Sequence, residues 1–353
     1  MTRPEAAAPP HPADRPALPR APGRTTGDPA RPPRPPARPK VPRRALHGVL
    51  LLDKPLGWTS NDAVQKVKGL MRAEKVGHTG TLDPLATGLL PLCFGAATKF
   101  AQANLDADKR YLATLRLGER TSTGDGEGEV VERREVRCDR AAIEAVCERF
   151  LGTQAQRPPM HSALKHDGRA LYEYARAGVE VERASRTVQI RRLDIVRWQG
   201  TELVVDVCCS KGTYVRTLAE DIGAALGCGA TLAALRRTAS GPMSLDRALT
   251  IEELQSLTDA EREARLVPAD TLLADWPAVA LPDDEAGRFL TGLRRRVTLP
   301  DAPQVRVYAS TPAGTEGRPH PGAFLGTAHV AGGELIADRL LSPLEVRAAL
   351  PRP

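Results

Sequence analysis

The glycine-rich stretch Gly77-His-Thr-Gly-Thr-Leu-Asp-Pro-Leu-Ala-Thr-Gly88 carries the strongest signal in this sequence. Its three glycines permit positive φ angles and the close approach of a ligand. Asp83 precedes Pro84, which pushes its backbone toward extended geometry, so we expect a carboxylate that projects from a stiff loop. Catalytic groups concentrate on such loops. Taken alone, however, Asp83 is better explained as the cap of a turn that begins at Leu85.

Periodic segments on both sides of this loop predict an α+β fold. Val49–Leu52 is a short apolar run typical of a strand, and Thr59 or Ser60 can cap a helix that runs to about Met71. The irregular alternation of elements favours a mixed, mainly antiparallel sheet flanked by helices over a doubly wound sheet. The other predicted strands are Lys109–Leu117, Thr187–Trp198, Glu202–Cys209, Val305–Tyr308, Leu325–Val330 and Glu334–Arg339, and the other predicted helices are 140–151, 169–178 and Thr213–Leu226.

The composition divides the chain into three parts. Residues 1–45 contain 14 prolines and many arginines, which predicts a disordered Pro/Arg-rich tail. Residues 46–275 hold most of the periodic segments and predict the main domain. Residues 276–353 contain short strands separated by Gly and Pro turns, which indicates a small β-rich domain.

The net charge of +7 comes from the tail alone. Residues 1–45 hold ten Lys or Arg and three Asp or Glu, so the remaining chain has 40 basic and 40 acidic side chains. A neutral body can bind RNA only through a local basic patch, although the tail can add salt-sensitive attraction to a polyanion.

The cysteines and apolar runs limit the class of protein. None of the six cysteines forms a CxxC or a Cys/His pattern with zinc spacing, which predicts buried thiols in a reduced, cytoplasmic protein. Apolar runs all fall short of the ~20 residues that span a membrane, and the first residues lack the apolar core of a signal peptide. Phosphate-loop and metal-ligand motifs are also absent, so we expect no cofactor.

Residues 77–90 closely resemble the catalytic signature of the TruB-type pseudouridine synthases. Other segments resemble that family in the same order: Gly48–Ser60, Lys109-Arg-Tyr111, Ser162-Ala-Leu-Lys165 with Tyr172–Arg176, Cys209–Arg216, and Leu235-Arg-Arg237. The resemblance covers about residues 46–250. The part after residue 276 loosely resembles the family's small PUA-like RNA-binding domain. His161 is a departure, because the family more often has Tyr or Phe there.

This resemblance implies a pseudouridine synthase catalytic domain that isomerises the uridine at position 55 in the T-arm of tRNA. The substrate base must be flipped out of the RNA, and unstacking it costs a few kcal/mol. The reaction gains and loses no atoms and requires neither redox nor metal chemistry. The expected partner is therefore a tRNA T-arm stem-loop, with no cofactor.

The resemblance also implies roles for individual residues. Asp83 is the essential carboxylate, and aspartate is ionised at neutral pH. Whether it attacks C1′, attacks C6 or removes a C2′ proton is left open by the sequence. Arg216 is its implied partner, expected to form a bidentate pair at a helix start. The other implied contacts are Tyr214 as a proton acceptor or base-edge contact, Tyr111 as the stacking platform, Leu235 lining the uracil pocket, and His78 holding flipped nucleotides.

A local basic patch is expected from Lys54, Lys165, Lys211, Arg236 and Arg237, with phosphate contact most expected for Lys54 and Lys211. Each of these side chains is otherwise explained as a solvated surface residue. Tyr111 is likewise explained by its pattern alone as a core tyrosine, and Arg216 as a surface arginine.

Two other functions are weighed against this one. A non-catalytic RNA-binding or RNA-folding module would account for the β-rich domain and the tail but has no need of Asp83, Tyr214 and Arg216 together. A related synthase acting on ribosomal or guide-directed RNA would share the same aspartate. We expect a monomer, because no heptad pattern or large apolar stripe is present. We expect no membrane association, because the apolar runs are too short to span a membrane.

Overall fold

A nine-stranded mixed sheet forms the centre of this computed structural model, which describes residues 42–162, 164–310 and 321–349. Residues 1–41 of the expected tail lie outside the described residues, and one compact unit spans Pro42–Pro353. The strands of the described chain are β1 (Gly48–Lys54), β2 (Val76–His78), β3 (Ala86–Phe94), β4 (Lys109–Leu117), β5 (Glu119–Thr121), β6 (Val130–Arg133), β7 (Gly152–Gln156), β8 (Lys165–His166), β9 (Arg169–Ala170), β10 (Arg186–Gln199), β11 (Glu202–Cys209), β12 (Ala230–Ser240), β13 (Met243–Ser244), β14 (Ala278–Leu281), β15 (Arg295–Arg296), β16 (Ala302–Ser310), β17 (Pro321–Ala331) and β18 (Glu334–Leu340).

Short helices surround the sheets. They are α1 (Ser60–Leu70), α2 (Ala101–Asp106), α3 (Arg140–Arg149), α4 (Leu171–Arg176), α5 (Val215–Ala225), α6 (Ile251–Ser256), α7 (Asp259–Ala264), α8 (Asp283–Phe289) and α9 (Pro343–Ala349), with 3₁₀ turns at Gly95–Lys99, Leu245–Arg247 and Ala269–Leu273. Thr59 begins α1 with a capping box, since its side chain accepts from Asp62 N while Asp62 accepts from Thr59 N.

The large sheet has the main order β1–β3–β12–β4–β11–β10–β7, with β2 beside β3 and β13 beside β12. Its pairs are antiparallel except for β3 and β12, where Leu235 lies opposite Ala86. This parallel pair brings the strand that follows Asp83 beside Leu235–Arg237. Gly88 is required at the crossing, because a Cβ there would lie 2.3 Å from the Arg237 carbonyl oxygen.

Two apolar clusters hold helices against this sheet. One joins α3 and α5 to β4, β10 and β11 through residues such as Ile143 and Ile222. The other joins α1 and α6 to β1 and β3 through Val67 and Leu254. Because α1 and α5 begin near Asp83 and Arg216, this packing positions both ends of the site.

The C-terminal part of the described chain has its own sheet, ordered β14–β16–β17–β18–β15, with α8 packed on it around Phe289. Tyr308 and Phe324 from this sheet join Phe100 in a further cluster with residues of β1 and β3. The Phe100 and Phe324 ring centroids are 5.1 Å apart. The α+β class, the mainly antiparallel sheet and the β-rich PUA-like C-terminal part are confirmed.

Most of the predicted elements are present, and their bounds differ by a few residues at most. Lys109–Leu117 and Glu202–Cys209 are strands as predicted. The helix expected at 169–178 is wrong at its start, because Arg169 and Ala170 pair in the β8–β9 hairpin before α4 begins. Within the described residues, no helix is long and apolar enough to span a membrane.

Candidate active site

A cavity of about 330 Å³ lies beside the loop that carries Asp83. This volume is within the ~300–1,000 Å³ typical of ligand pockets. Six of the eight predicted site residues line it: Asp83, Tyr111, Lys211, Tyr214, Arg216 and Leu235. Elements distant in sequence therefore meet at one site, as the resemblance implied. The other two predicted residues, His78 and Lys54, do not line the cavity.

The guanidinium of Arg216 bridges two carboxylates. Its Nη2 donates to Asp83 Oδ2 at 2.7 Å, and its Nη1 donates to Asp125 Oδ2 at 3.0 Å. Nη2 also donates to the His161 carbonyl at 2.7 Å. The expected contact between Arg216 and Asp83 is present. The expectation that it is bidentate is wrong, because the other terminal nitrogen of the guanidinium, Nη1, donates to Asp125.

The three charged groups differ in how far they are buried. The side chains of Arg216 and Asp125 are 8% and 4% exposed, whereas that of Asp83 is 48% exposed. A buried charge needs a partner, and the Arg216–Asp125 pair supplies one for each. Asp83 therefore sits on a neutral, buried ion pair and turns its carboxylate toward the cavity with no other side-chain hydrogen bond in the described residues.

The loop before Asp83 is fixed from both sides. Ser60 Oγ, in the first turn of α1, donates to the Leu82 carbonyl at 3.1 Å and accepts from Leu82 N at 2.8 Å. Arg237 Nη2 donates to the Gly80 carbonyl at 3.1 Å, and Arg237 Nε donates to the Leu89 carbonyl at 2.6 Å. These contacts hold the backbone on either side of Asp83, so its carboxylate is pre-oriented.

Two tyrosines line the cavity from different elements. Tyr111 lies on β4, and burial raises the pKa of its hydroxyl while the neighbouring Arg237 charge opposes that rise. Tyr214 precedes α5, and Gln156 clamps its backbone by accepting from Tyr214 N at 2.7 Å and donating to the Tyr214 carbonyl at 3.0 Å. Leu235 completes the wall through the parallel β3–β12 pair.

His78 lies on β2, paired with Leu92. Burial, together with the charge of Arg237, holds the pKa of its imidazole below the ordinary value. His78 is therefore uncharged at neutral pH. Its buried Nδ1 has no hydrogen-bond partner within the described part of the chain.

Lys54 and Arg237 contradict the basic-patch expectation. Lys54 is 0% exposed, and its Nζ donates to the carbonyls of Pro55 at 2.9 Å and Trp58 at 2.6 Å. Burial lowers the pKa of Lys54 to about 8, although the nearby Asp83 charge opposes this. Arg237 is also buried, with backbone carbonyls as acceptors. Both cations donate to backbone carbonyls inside the fold, so the expectation that they belong to an exposed basic patch is wrong.

The remaining members of the expected patch are at the surface. Lys211 is exposed and pairs with Asp106 at 2.9 Å. Arg236 forms a two-point pair with Asp53, with distances of 3.1 and 2.6 Å. Lys165 is exposed in the β8–β9 hairpin. These three side chains remain accessible to RNA phosphates.

Replacing Lys54 and Lys211 separately should distinguish an internal cation from a surface cation. Lys54→Met removes charge-assisted hydrogen bonds from two carbonyls, so the free energy of unfolding should fall by ~2–3 kcal/mol. Lys211→Met should change it by less than ~0.5 kcal/mol. If Lys211 contacts a phosphate, its loss should reduce the slope of log affinity for tRNA against log salt by ~1.

Urea unfolding and RNA-binding titrations at several salt concentrations measure these effects. Each variant is the matched control for the other. A Lys54→Met protein with normal stability and a reduced salt slope would contradict the internal assignment.

Sequence reasoning missed two residues that organise the site. Asp125 lies in the turn between β5 and β6, and an Asp-Gly pair is typical of a turn. Gln156 lies at the end of β7, with no pattern to distinguish it. The sequence carries no signal for either residue, because the burial of Arg216, which requires a second anion, is visible only in the fold.

Comparisons with known proteins place this site in a family. Residues 68–215 match the model described as TruB family pseudouridylate synthase (N terminal domain), and residues 216–274 match that of the tRNA pseudouridylate synthase B C-terminal domain. The chain is 56% identical over 315 residues to tRNA pseudouridine synthase B of Verminephrobacter eiseniae (strain EF01-2), covering 87% of this chain and 92% of that protein. It is 54% identical over 306 residues to tRNA pseudouridine synthase B of Burkholderia mallei (strain NCTC 10247), covering 85% and 98%.

Solved structures share the fold at lower identity. The archaeal box H/ACA sRNP Nop10-Cbf5 complex matches with a TM-score of 0.63 and 22% identity, covering 86% of this chain and 88% of that one. A Cbf5-Nop10-Gar1 complex matches with a TM-score of 0.64 and 24% identity, covering 86% and 87%. With two family models that together span residues 68–274 and relatives above 50% identity along most of their length, the chain belongs to the TruB family of pseudouridine synthases.

Proposed function

We propose that this chain isomerises uridine to pseudouridine at position 55 in the T-arm of tRNA, with Asp83 as the catalytic carboxylate. The observation that carries the proposal is the exposed carboxylate of Asp83, held by buried Arg216 at a cavity lined by Tyr111, Tyr214 and Leu235. The names of the relatives from Verminephrobacter and Burkholderia support tRNA as the substrate.

The proposed reaction breaks the N1–C1′ bond of uridine, turns the base and joins C5 to C1′. C5 loses its proton to solvent and N1 takes up one proton, so the product is an isomer of the substrate. Asp83 is the only carboxylate that both lines the cavity and is exposed among the described residues. Arg216 keeps this carboxylate in one orientation, and pre-orientation of a reacting group lowers the barrier by removing its conformational search.

The two tyrosines and Leu235 fit the demands of a flipped base. A base leaving its stack needs a new aromatic surface, and one stacked base contributes roughly 1–3 kcal/mol. Tyr111 serves as that surface in this proposal. Tyr214 contacts the base edge or accepts a proton, and Leu235 covers the apolar face. His78, which lies on β2 and is uncharged, contacts the flipped RNA nucleotides instead of acting as a general base.

Residues 46–275 form the catalytic domain in this proposal, and residues 276–353 form a PUA-like RNA-binding domain. The separate five-stranded sheet and its own apolar cluster support this division. The tail at residues 1–45 adds non-specific attraction to RNA through its charge. We further propose that the enzyme acts as a cytoplasmic monomer.

The direct test uses an unmodified tRNA transcript. The purified protein should convert one uridine, at position 55, as detected by carbodiimide treatment and primer extension. A transcript with cytidine at position 55 is the matched control and should give no signal.

The same assay separates the alternatives. A non-catalytic binding module would bind the transcript in a salt-sensitive complex without converting any uridine. A synthase specific for another RNA would leave the transcript unmodified but would convert a uridine in total cellular RNA from a strain lacking this enzyme.

A further inference from the structure

A buried serine without a partner lies beside the charged cluster. Ser162 is 5% exposed and lines the same cavity as Asp83. Its Oγ has no hydrogen-bond partner among the residues that the structure describes. Buried hydroxyls nearly always have a partner, because an unpaired one loses its hydrogen bonds to water without compensation. The position of Ser162 at the cavity suggests that its partner comes from outside the protein.

The backbone around Ser162 is tied to the active site. Ser162 N donates to the Met160 carbonyl at 2.9 Å, and the Ser162 carbonyl accepts from Tyr172 N at 3.1 Å. The preceding carbonyl, that of His161, accepts from Arg216 at 2.7 Å. The main chain is thus held on the guanidinium that orients Asp83. The hydroxyl can change its direction by rotation about one bond, and it can donate or accept.

The other polar side chains of the cavity are largely engaged within the protein. Arg216 donates hydrogen bonds to two carboxylates, and Arg237 donates hydrogen bonds to backbone carbonyls. Lys109 Nζ donates to the carbonyls of Asn104, Leu105 and Ala107 at 2.7–2.8 Å. A uridine entering this cavity brings two base carbonyls, an imide N–H and a 2′-hydroxyl, all of which lose water. The Ser162 hydroxyl is a free group available to meet that demand.

A missing partner alone does not distinguish Ser162 from other buried hydroxyls. Thr217 and Thr238 also have buried hydroxyls without partners among the described residues. Neither of these threonines lines the cavity. Ser162, by contrast, lines the cavity, and the carbonyl of the residue before it accepts a hydrogen bond from Arg216.

We propose that Ser162 Oγ hydrogen-bonds an oxygen of the target uridine once the base has flipped into the cavity. This inference rests on the proposed function. Oxygen acceptors of the same chemistry are offered by the base, at O2 or O4, and by the ribose, at O2′. A site built to bond one of these oxygens discriminates against a nucleotide that lacks it, so Ser162 is a specificity-determining residue.

Ser162→Ala should lower kcat/KM on a T-arm stem-loop by about 2- to 13-fold, the effect of one neutral hydrogen bond. Its thermal midpoint should match or exceed that of the wild type, because the alanine removes an unpaired buried hydroxyl. Thr238→Val is the matched control: it deletes a buried unpaired hydroxyl away from the cavity and should leave kcat/KM unchanged. A Ser162→Ala protein with wild-type kcat/KM would overturn the inference.

Competing stem-loops identify the oxygen. Inhibition constants are measured for stem-loops that carry 2-thiouridine, 4-thiouridine or 2′-deoxyuridine at the target position, with wild type and Ser162→Ala. The wild type should bind one of the three modified stem-loops more weakly than the uridine stem-loop. Ser162→Ala should bind that modified stem-loop and the uridine stem-loop with equal affinity. Equal discrimination by both proteins against all three would also overturn the inference. Wild-type conversion of uridine is measured in parallel, so a failed proposed function appears as no pseudouridine at all, whereas a failure of this inference leaves conversion intact.

Discussion

Asp83→Asn should abolish pseudouridine formation, lowering the single-turnover rate on tRNA by ~10⁴-fold or more. Asparagine has the shape of aspartate, but it carries no charge and is neither a base nor a nucleophile at neutral pH. The fold should tolerate the change, because Asp83 is about half exposed and Arg216 keeps its buried partner Asp125. We expect the free energy of unfolding to change by no more than ~1 kcal/mol.

Asp206→Asn is the matched control for this variant. Asp206 also pairs with an arginine, accepting from Arg110 Nε at 2.8 Å, but it lies on β11 outside the cavity. Its activity should equal that of the wild type. Rate measurements under enzyme excess, together with urea unfolding of both variants, complete the test. Pseudouridine formed by Asp83→Asn at more than a hundredth of the wild-type rate would exclude Asp83 as the catalytic carboxylate.

Local sequence patterns were sufficient to predict the strands and helices that bury one apolar face. The strand Lys109–Leu117 alternates between buried and more exposed side chains, Glu202–Cys209 is a mostly buried apolar run, and α5 repeats its apolar residues at helical spacing. The strand that follows Asp83, Ala86–Phe94, was not predicted. It is buried along nearly its whole length, so it lacks alternation, and Gly88 and Pro91 interrupt its apolar run.

The charged residues show where sequence reasoning fails. Lys54 and Arg237 were expected at the surface, because lysine and arginine are seldom fully buried. Their acceptors are backbone carbonyls of Pro55, Trp58, Gly80 and Leu89, which become available only after the chain has folded. Resemblance to a family predicted that Arg216 meets Asp83, but only the geometry reveals that Asp125 occupies the other edge of the guanidinium.

Arg216→Lys should separate the charge of this residue from its geometry. A lysine keeps one positive charge but has a single nitrogen, which cannot hold Asp83, Asp125 and the His161 carbonyl in their present arrangement. The carboxylate of Asp83 would lose its fixed orientation, and misplacement by about 1 Å costs ~10²-fold in rate. We therefore expect kcat to fall by ~10²-fold or more, with KM for tRNA little changed, because Arg216 is 7% exposed and its guanidinium nitrogens donate to protein groups.

The stability of the same variant provides an independent measurement. Asp125 is 4% exposed and would lose its charged hydrogen bond, so the free energy of unfolding should fall by ~1.5–3 kcal/mol. Arg110→Lys is the matched control, since Arg110 pairs with Asp206 at the surface, and it should change stability by less than ~1 kcal/mol and leave kcat unchanged. A large rise in KM with normal kcat in Arg216→Lys would mean that Arg216 binds RNA directly. That result would contradict its assignment as the residue that orients Asp83, because a group acting on the reacting carboxylate must affect the rate of the bound complex.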